Sequence, residues 1–331
     1  MLQICLIGAG RIGQVHAQAM QKIDDVRIKY VVDVFEKSAR ELASLHQAQV
    51  VDLDTAFSDP EIDVFIIASS TDTHAELLMR CCAANKAVFC EKPIDLNLKQ
   101  AIGCAEAIET SGIVCGLGFN RRFDPRFNRL HERLQNGDLG ALETLIITSR
   151  DPAPPPANYI PLSGGLFRDM MIHDFDMARW LLDEEIIEIY ATGSNLVDPA
   201  IGQAGDIDTA TATLKTVSGK LAIISNSRRS SYGYDQRVEA FGSQGMLQVQ
   251  NQSDTDLIFS NDQGIVHEKP QYFFLDRYQH AYRLELITFF ESLKDKTINF
   301  PDQSDGVAAL QLAEAANLSL AKGCSIRLSD V

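Results

Sequence analysis

The opening thirteen residues narrow the folds open to this chain more than any other stretch. Residues 2–7 form a short apolar strand, and Gly8-Ala9-Gly10-Arg11-Ile12-Gly13 follows at once. Residues 15–22 continue as a helix, and residues 26–34 read as a second strand containing Asp33, twenty residues past Gly13. Each part has a task in binding a dinucleotide. Gly8 permits a tight turn, Gly10 lets a pyrophosphate approach the backbone, and Gly13 lets helix and strand pack closely. Arg11 and Ile12 lie inside that loop, and the helix N-terminus offers free N–H groups to the phosphates. A glycine triplet alone is weak evidence, but strand, loop, helix, strand and acid in this order point to a Rossmann domain. Asp33 suits the adenosine ribose hydroxyls and repels a 2′-phosphate, and Val34 beside it offers no cation, so NAD is expected over NADP. Lys37 and Arg40 read either as softening that preference or as a solvated helix face.

The strand–helix alternation continues. Residues 62–68 form a buried strand ending in Ser69-Ser70-Thr71, and residues 73–84 form the next helix. Cofactors in such sheets lie across the carboxyl ends of the strands, which is where Ser69, Ser70, Thr71 and His74 fall. Simple helix capping is the plain alternative for Ser70 and Thr71. After the strand at 87–90 comes Glu91-Lys92-Pro93, where an ammonium can stabilise an alkoxide and proline fixes the backbone, in a cis peptide if the turn demands it. Residues 111–119 complete the sheet. The expected domains are therefore 1–119 and 120–331.

Thirty Lys and Arg against forty-five Asp and Glu give a net charge of −15, which disfavours nucleic acid and anionic membranes as partners. The first apolar run lacks a basic flank and stops at Gly8, so it reads as a strand rather than a signal peptide. No run approaches a membrane span. Seven cysteines without a C-x-x-C pair fit a reduced, cytoplasmic chain with neither disulfide framework nor structural zinc.

Residues 163–183, SGGLFRDMMIHDFDMARWLLD, repeat apolar positions at three and four residues, which predicts one helix packed inside the second domain. Asp169 and His173 are four apart and share a face, with Asp176 three further on. Such a pair can be a base and its orienter. Taken alone, the helix fits a solvated face or a core histidine paired with a carboxylate better. Strand-like runs follow at 186–196, 207–217, 221–228, 236–241 and 245–249, after an earlier one at 142–149. The fold class is α/β: an N-terminal Rossmann domain and a C-terminal α/β domain with an open, mostly antiparallel sheet. One face of that sheet would be covered by the central helix and the other by a further subunit. A last amphipathic helix spans about 304–323.

GAGRIG, EKP after a later strand, GFNRRFD at the domain boundary and D-x-x-x-H in the second domain together resemble the Gfo/Idh/MocA oxidoreductases. The resemblance runs the whole length of the chain. SRDP, GGLFRDMMIHDFDMARWL and SRRSSYGYDQRVEAFGSQG look like its inositol-dehydrogenase branch. The resemblance implies hydride transfer between NAD and a polyol or cyclitol hydroxyl. It implies Lys92 as catalytic lysine and Asp169 with His173 as the acid–histidine pair, His173 taking the proton. Asp151, Asp176, Tyr232 and Arg122 are implied at the substrate, and Glu91, Lys92 and Arg121 at the cofactor. It further implies a homotetramer formed through the C-terminal sheet, with the last helix returning to the Rossmann domain. No metal is called for, since the histidines lack clustered ligand spacing. Three alternatives stay open: the same chemistry on another sugar or inositol isomer, a non-catalytic NAD-binding regulator, and a reductase running the reaction the other way.

Overall fold

The computed structural model describes residues 1–296 and 298–331. The chain divides into two compact units, Met1–Phe123 with Gln279–Leu310, and Asp124–Tyr278 with Gln311–Val331. The sequence alone places a boundary at residue 119; the first unit extends to Phe123 and also takes in Gln279–Leu310.

The first unit holds a six-stranded sheet of β1 (Leu2–Ile7), β2 (Val26–Val32), β3 (Gln49–Val50), β4 (Val64–Ile67), β5 (Ala87–Cys90) and β6 (Cys115–Leu117). Their order is β3-β2-β1-β4-β5-β6, and every pairing is parallel. Helices α1 (Arg11–Met20), α2 (Glu36–His46), α3 (Leu53–Ser58), α4 (His74–Ala84) and α5 (Leu98–Ser111) connect them. Parallel strands buried on both faces need continuous apolar runs, which VFII in β4 supplies: all four residues are buried. The strand order reverses direction between β1 and β4, the switch point at which dinucleotides bind in doubly wound sheets. Five cysteines (Cys5, Cys81, Cys90, Cys104 and Cys115) are buried here as small apolar residues, and burial pushes their thiols up.

The second unit is built on α6 (Pro125–Gln135), β7 (Leu142–Arg150), α7 (Ile160–Ser163), α8 (Ile172–Leu182), β8 (Ile186–Ser194), α9 (Pro199–Gln203), β9 (Thr209–Thr216), β10 (Leu221–Ser227), β11 (Asp235–Gly242) and β12 (Gly245–Val249). A hairpin of β13 (Ile258–Asn261) and β14 (Gly264–His267) precedes α10 (Phe274–Ser292) and α11 (Gln303–Lys322), and β15 (Ile326–Arg327) closes the chain. The seven-stranded order is β12-β11-β7-β10-β9-β8-β15. All its pairings are antiparallel except β7 with β10. The fold class expected from the sequence is thus observed, as a mixed and mostly antiparallel sheet. One face is buried through Leu145, Ile147, Ala212, Leu214, Ala222 and Ile224. α8 packs on β7 there, and Ser319 of α11 accepts the Ala191 amide of β8 at 2.8 Å. Alternate residues on the other face, including Ile146, Tyr190, Ile223 and Phe241, are exposed. Among the described residues no helix is long and apolar enough to cross a membrane.

Candidate active site

In the first unit the glycine loop has the shape its composition requires. Gly8 has φ +103°, and a Cβ there would stand 2.5 Å from the carbonyl carbon and oxygen of Ala68. A Cβ on Gly13 would stand 1.9 Å from the carbonyl oxygen of Gly8. Gly10 meets nothing within 4 Å and is exposed, so open space lies where a pyrophosphate must approach. Arg11 and Ile12 begin α1, whose N-cap Gly10 makes no side-chain capping bond. Asp33, just past β2, accepts the Ala9 amide at 2.6 Å and the Phe35 amide at 2.7 Å. The carboxylate therefore braces the loop, and each oxygen keeps a lone pair for a ribose hydroxyl.

Beyond β4, Ser69 Oγ lies 2.6 Å from Thr73 Oγ1, which donates to the Ser70 carbonyl at 2.8 Å. Ser70 makes no capping bond to the turn Thr71–Thr73. His74 departs from expectation. It is 1% exposed, with Nδ1 2.8 Å from the Pro93 carbonyl and Nε2 3.1 Å from the Ser69 carbonyl. Its ring lies between the end of β4 and the EKP segment, and as a neutral imidazole it donates to one of these two carbonyls. Burial lowers the His74 pKa, against the pull of the two carbonyls.

Glu91, Lys92 and Pro93 follow β5, with a cis Lys92–Pro93 bond. The Glu91 side chain turns inward: Oε1 lies 2.7 Å from Nε2 of His16 on α1, and Oε2 would lie 2.8 Å from a Cβ on Gly118. His16 is fully buried and edges against Phe89 and Tyr282 at 5.2 and 5.7 Å between ring centres. Two histidines thus hold the segment that carries Lys92, which is itself half-buried. Arg121 is buried after β6, and Arg122 pairs with Asp305 at 2.9 Å, so its guanidinium already has an acid before any substrate binds.

In the second unit the expected single helix over 163–183 is two elements. Phe167–Met171 is a π-helical turn carrying Asp169, and α8 then carries His173. Apolar spacing does not distinguish a wide turn from a normal one, and such turns occur often at functional sites. Asp169 accepts the Tyr159 hydroxyl on Oδ1 at 3.2 Å and both Nη atoms of Arg228 on Oδ2 at 3.2 Å. Asp176 is buried at 1% exposure on α8, and His173 is half-buried. Asp174, which the sequence did not single out, is buried and accepts from Ser149 Oγ at 2.5 Å and Asn226 Nδ2 at 2.8 Å.

Asp151 follows β7, its amide bonded to the Ser227 carbonyl at 3.0 Å. Nearby, the Tyr232 hydroxyl donates to Asp235 at 2.5 Å and accepts from Arg150 at 2.8 Å, with the ring 37% exposed. Burial alone would raise Asp235, but Arg237, Tyr232 and Asn251 outweigh it and hold this carboxylate below its usual range. Sequence reading gave no site role to Arg228, Tyr159, Asp206 or His16. The signals were present, as a basic residue ending a strand and a histidine three past the glycine loop, but either pattern is common in surface loops and helix cores.

Two family models match this chain. The GFO/IDH/MocA oxidoreductase model with an NAD-binding Rossmann fold covers residues 2–119, and the GFO/IDH/MocA C-terminal domain model covers residues 127–248. The chain belongs to the Gfo/Idh/MocA oxidoreductases. This member is 44% identical to a myo-inositol 2-dehydrogenase of Thermotoga maritima over 100% of its own length and 99% of the relative's. It is likewise 44% identical to an inositol 2-dehydrogenase of Rhizobium meliloti over 98% of both chains. A scyllo-inositol dehydrogenase from Lactobacillus casei, solved with NAD(H) and scyllo-inositol, superposes with a TM-score of 0.92 at 26% identity, covering 99% of each chain. The cofactor is NAD, as the matching NAD-binding Rossmann model has it, and the glycine loop and Asp33 described above are shaped for it.

Proposed function

We propose that this oxidoreductase takes a hydride and a proton from a secondary hydroxyl of a cyclitol, with myo-inositol to 2-keto-myo-inositol the leading reaction. The similarity to inositol 2-dehydrogenases over the whole chain carries this reading, and the presence in the sequence of Lys92 in EKP and of Asp169 and His173 in D-x-x-x-H supports it. Bound NAD supplies the hydride acceptor. Gly8, Gly10, Arg11, Ile12, Gly13, Asp33, Ser69, Ser70 and Thr71 hold it, with Glu91, Lys92 and Arg121 at the nicotinamide end.

A free hydroxyl is a very weak acid, so its oxidation needs a base and a charge for the developing alkoxide. An imidazole is the side chain suited to accept a proton near neutral pH, and His173 has that role. Asp169 orients its ring and stabilises the imidazolium. Lys92 supplies the fixed positive charge. Asp151, Asp176, Tyr232 and Arg122 contact the remaining hydroxyls. We further propose a division of labour at residue 119, a cytoplasmic location, and a homotetramer formed over the exposed face of the second sheet, where Ile146, Tyr190, Ile223 and Phe241 offer apolar contact area.

The test is reduced-nicotinamide absorbance with NAD and a panel of myo-, scyllo- and chiro-inositol and glucose. Turnover greatest on myo-inositol is expected. Silence on all four, with NAD binding confirmed by calorimetry, would overturn the reading in favour of another substrate or a regulator. Greater kcat/KM with NADP than with NAD would overturn the role given to Asp33.

A further inference from the structure

Arg228 follows β10 directly and is among the largest fully buried side chains, 1% exposed. A guanidinium removed from water to this degree needs a matching charge and firm hydrogen bonds. Both Nη atoms converge on Oδ2 of Asp169 at 3.2 Å, and Nη2 stands 4.0 Å from Oδ2 of Asp206. Asp206 is anchored in turn. Its Oδ1 accepts the Leu166 amide at 3.1 Å and would lie 2.8 Å from a Cβ on Gly165, at the entry to the π-helical turn. The backbone of Arg228 is also pinned, its amide donating to the Asp208 carbonyl at 2.8 Å. The Asp208 carboxylate accepts the amides of Leu196, Val197 and Asp198 at 2.8 to 3.0 Å.

Asp169 is therefore gripped from the protein side, where Arg228 has 2% side-chain exposure, while its own side chain keeps 18%. We infer that Arg228 is a positioning residue for the hydride-transfer chemistry, fixing the Asp169 carboxylate and through it the orientation and basicity of His173. The inference rests on the proposed roles of Asp169 and His173.

The physical need for it is specific. A carboxylate beside an imidazole favours the imidazolium, and a histidine already protonated cannot act as base. A guanidinium bonded to Oδ2 offsets part of that pull and restrains rotation of the carboxylate. The charged and titratable groups bonded to Asp169 include Arg228 after β10 and Tyr159 from the turn before α7, with Asp206 behind Arg228; His173 stands four residues on, in α8. Removing the Arg228 cation makes both Asp169 and His173 easier to protonate. Either event moves the acid limb of kcat/KM to higher pH.

The experiment compares Arg228→Lys, Arg228→Gln, His173→Ala and the Arg228→Lys/His173→Ala double variant by steady-state kinetics, with NAD affinity measured by calorimetry. Arg228→Lys is expected to lower kcat about ten- to hundredfold, as loss of an orienting partner does, with NAD affinity unchanged. Arg228→Gln should move the acid limb up by about one pH unit, and Arg228→Lys, which keeps the charge, should not move it. In the His173→Ala background Arg228→Lys should cost nothing further, since both act through one group. A full additional loss in the double variant would mean that Arg228 only supports the fold, and would overturn the inference. So would an unmoved acid limb in a folded Arg228→Gln protein. If Arg228→Gln does not fold, the Lys variant and the double variant decide. Full turnover by His173→Ala alone would instead overturn the base assignment, and this inference with it.

Discussion

Gly10 and Gly13 sit three residues apart in one loop, yet a methyl group added to each meets opposite surroundings. At Gly13 it collides with the Gly8 carbonyl; at Gly10 it enters open space. Gly13→Ala should therefore lower both the melting temperature and NAD affinity. Gly10→Ala should leave melting unchanged and weaken NAD by about tenfold, roughly 1.4 kcal/mol, because only the pyrophosphate approach is obstructed. Calorimetry beside thermal melting separates the two, and equal effects in both variants would contradict this account. For the proposed chemistry, His173→Ala should lose about a hundred- to ten-thousandfold in kcat with NAD affinity retained. Lys92→Ala should be at least as damaging, and unchanged kcat would remove Lys92 from the mechanism. The glycine loop was legible because its conformation constrains residue type: at Gly8 and Gly13 a Cβ would collide with backbone. Arg228 and His16 were not legible. Their importance comes from partners far away in the chain, Asp169 and Glu91, which local pattern cannot reveal.

At the level of elements, buried or half-buried apolar runs announced β1, β2, β4, β5 and most of the second sheet. The two-residue β3 is too short for a period to show, and β13 and β14 are exposed at every position, so neither alternates. The π-helical turn was hidden because Leu166, Phe167, Met170 and Met171 are all buried whichever helix type they adopt. β11 and the loop before β9 carry a testable electrostatic feature. Asp235 and Asp208 are both held below the usual aspartate range: burial pushes each up, but hydrogen bonds outweigh it, from Arg237, Tyr232 and Asn251 at the first and from backbone amides at the second. A carboxyl whose pKa is lower folded than unfolded adds stability above its unfolded pKa and loses it as pH falls through the folded value. The protein should therefore lose denaturant stability as pH drops below about 4. Asp235→Asn should flatten that fall, and an unchanged slope would show that the Arg237–Asp235 contact does not contribute to it.

For the molecule as a whole, the resemblance named the family and implied a last helix returning to the Rossmann domain, and the strand pattern gave the layers, but neither pointed to α10 as part of the first unit's core. Leu286, Phe289 and Phe290 of α10 belong to the same core cluster as Ile4, Leu6, Val31, Ile66 and Phe89. Gly116 of β6 is glycine because a Cβ there would stand 2.7 Å from the rings of Phe289 and Phe300. Phe289→Ala should cost the protein about 3–5 kcal/mol in denaturant unfolding; a cost below about 1 kcal/mol would mean that the cluster does not depend on this ring. The same arrangement bears on the order in which the molecule can be made. A ribosome releases the glycine loop and all six parallel strands long before residue 279 emerges, so the nascent sheet carries an uncovered apolar patch around Phe89 while residues 124–278 of the second unit are synthesised. The cofactor-binding half, first to be translated, is thus among the last parts able to reach its finished core.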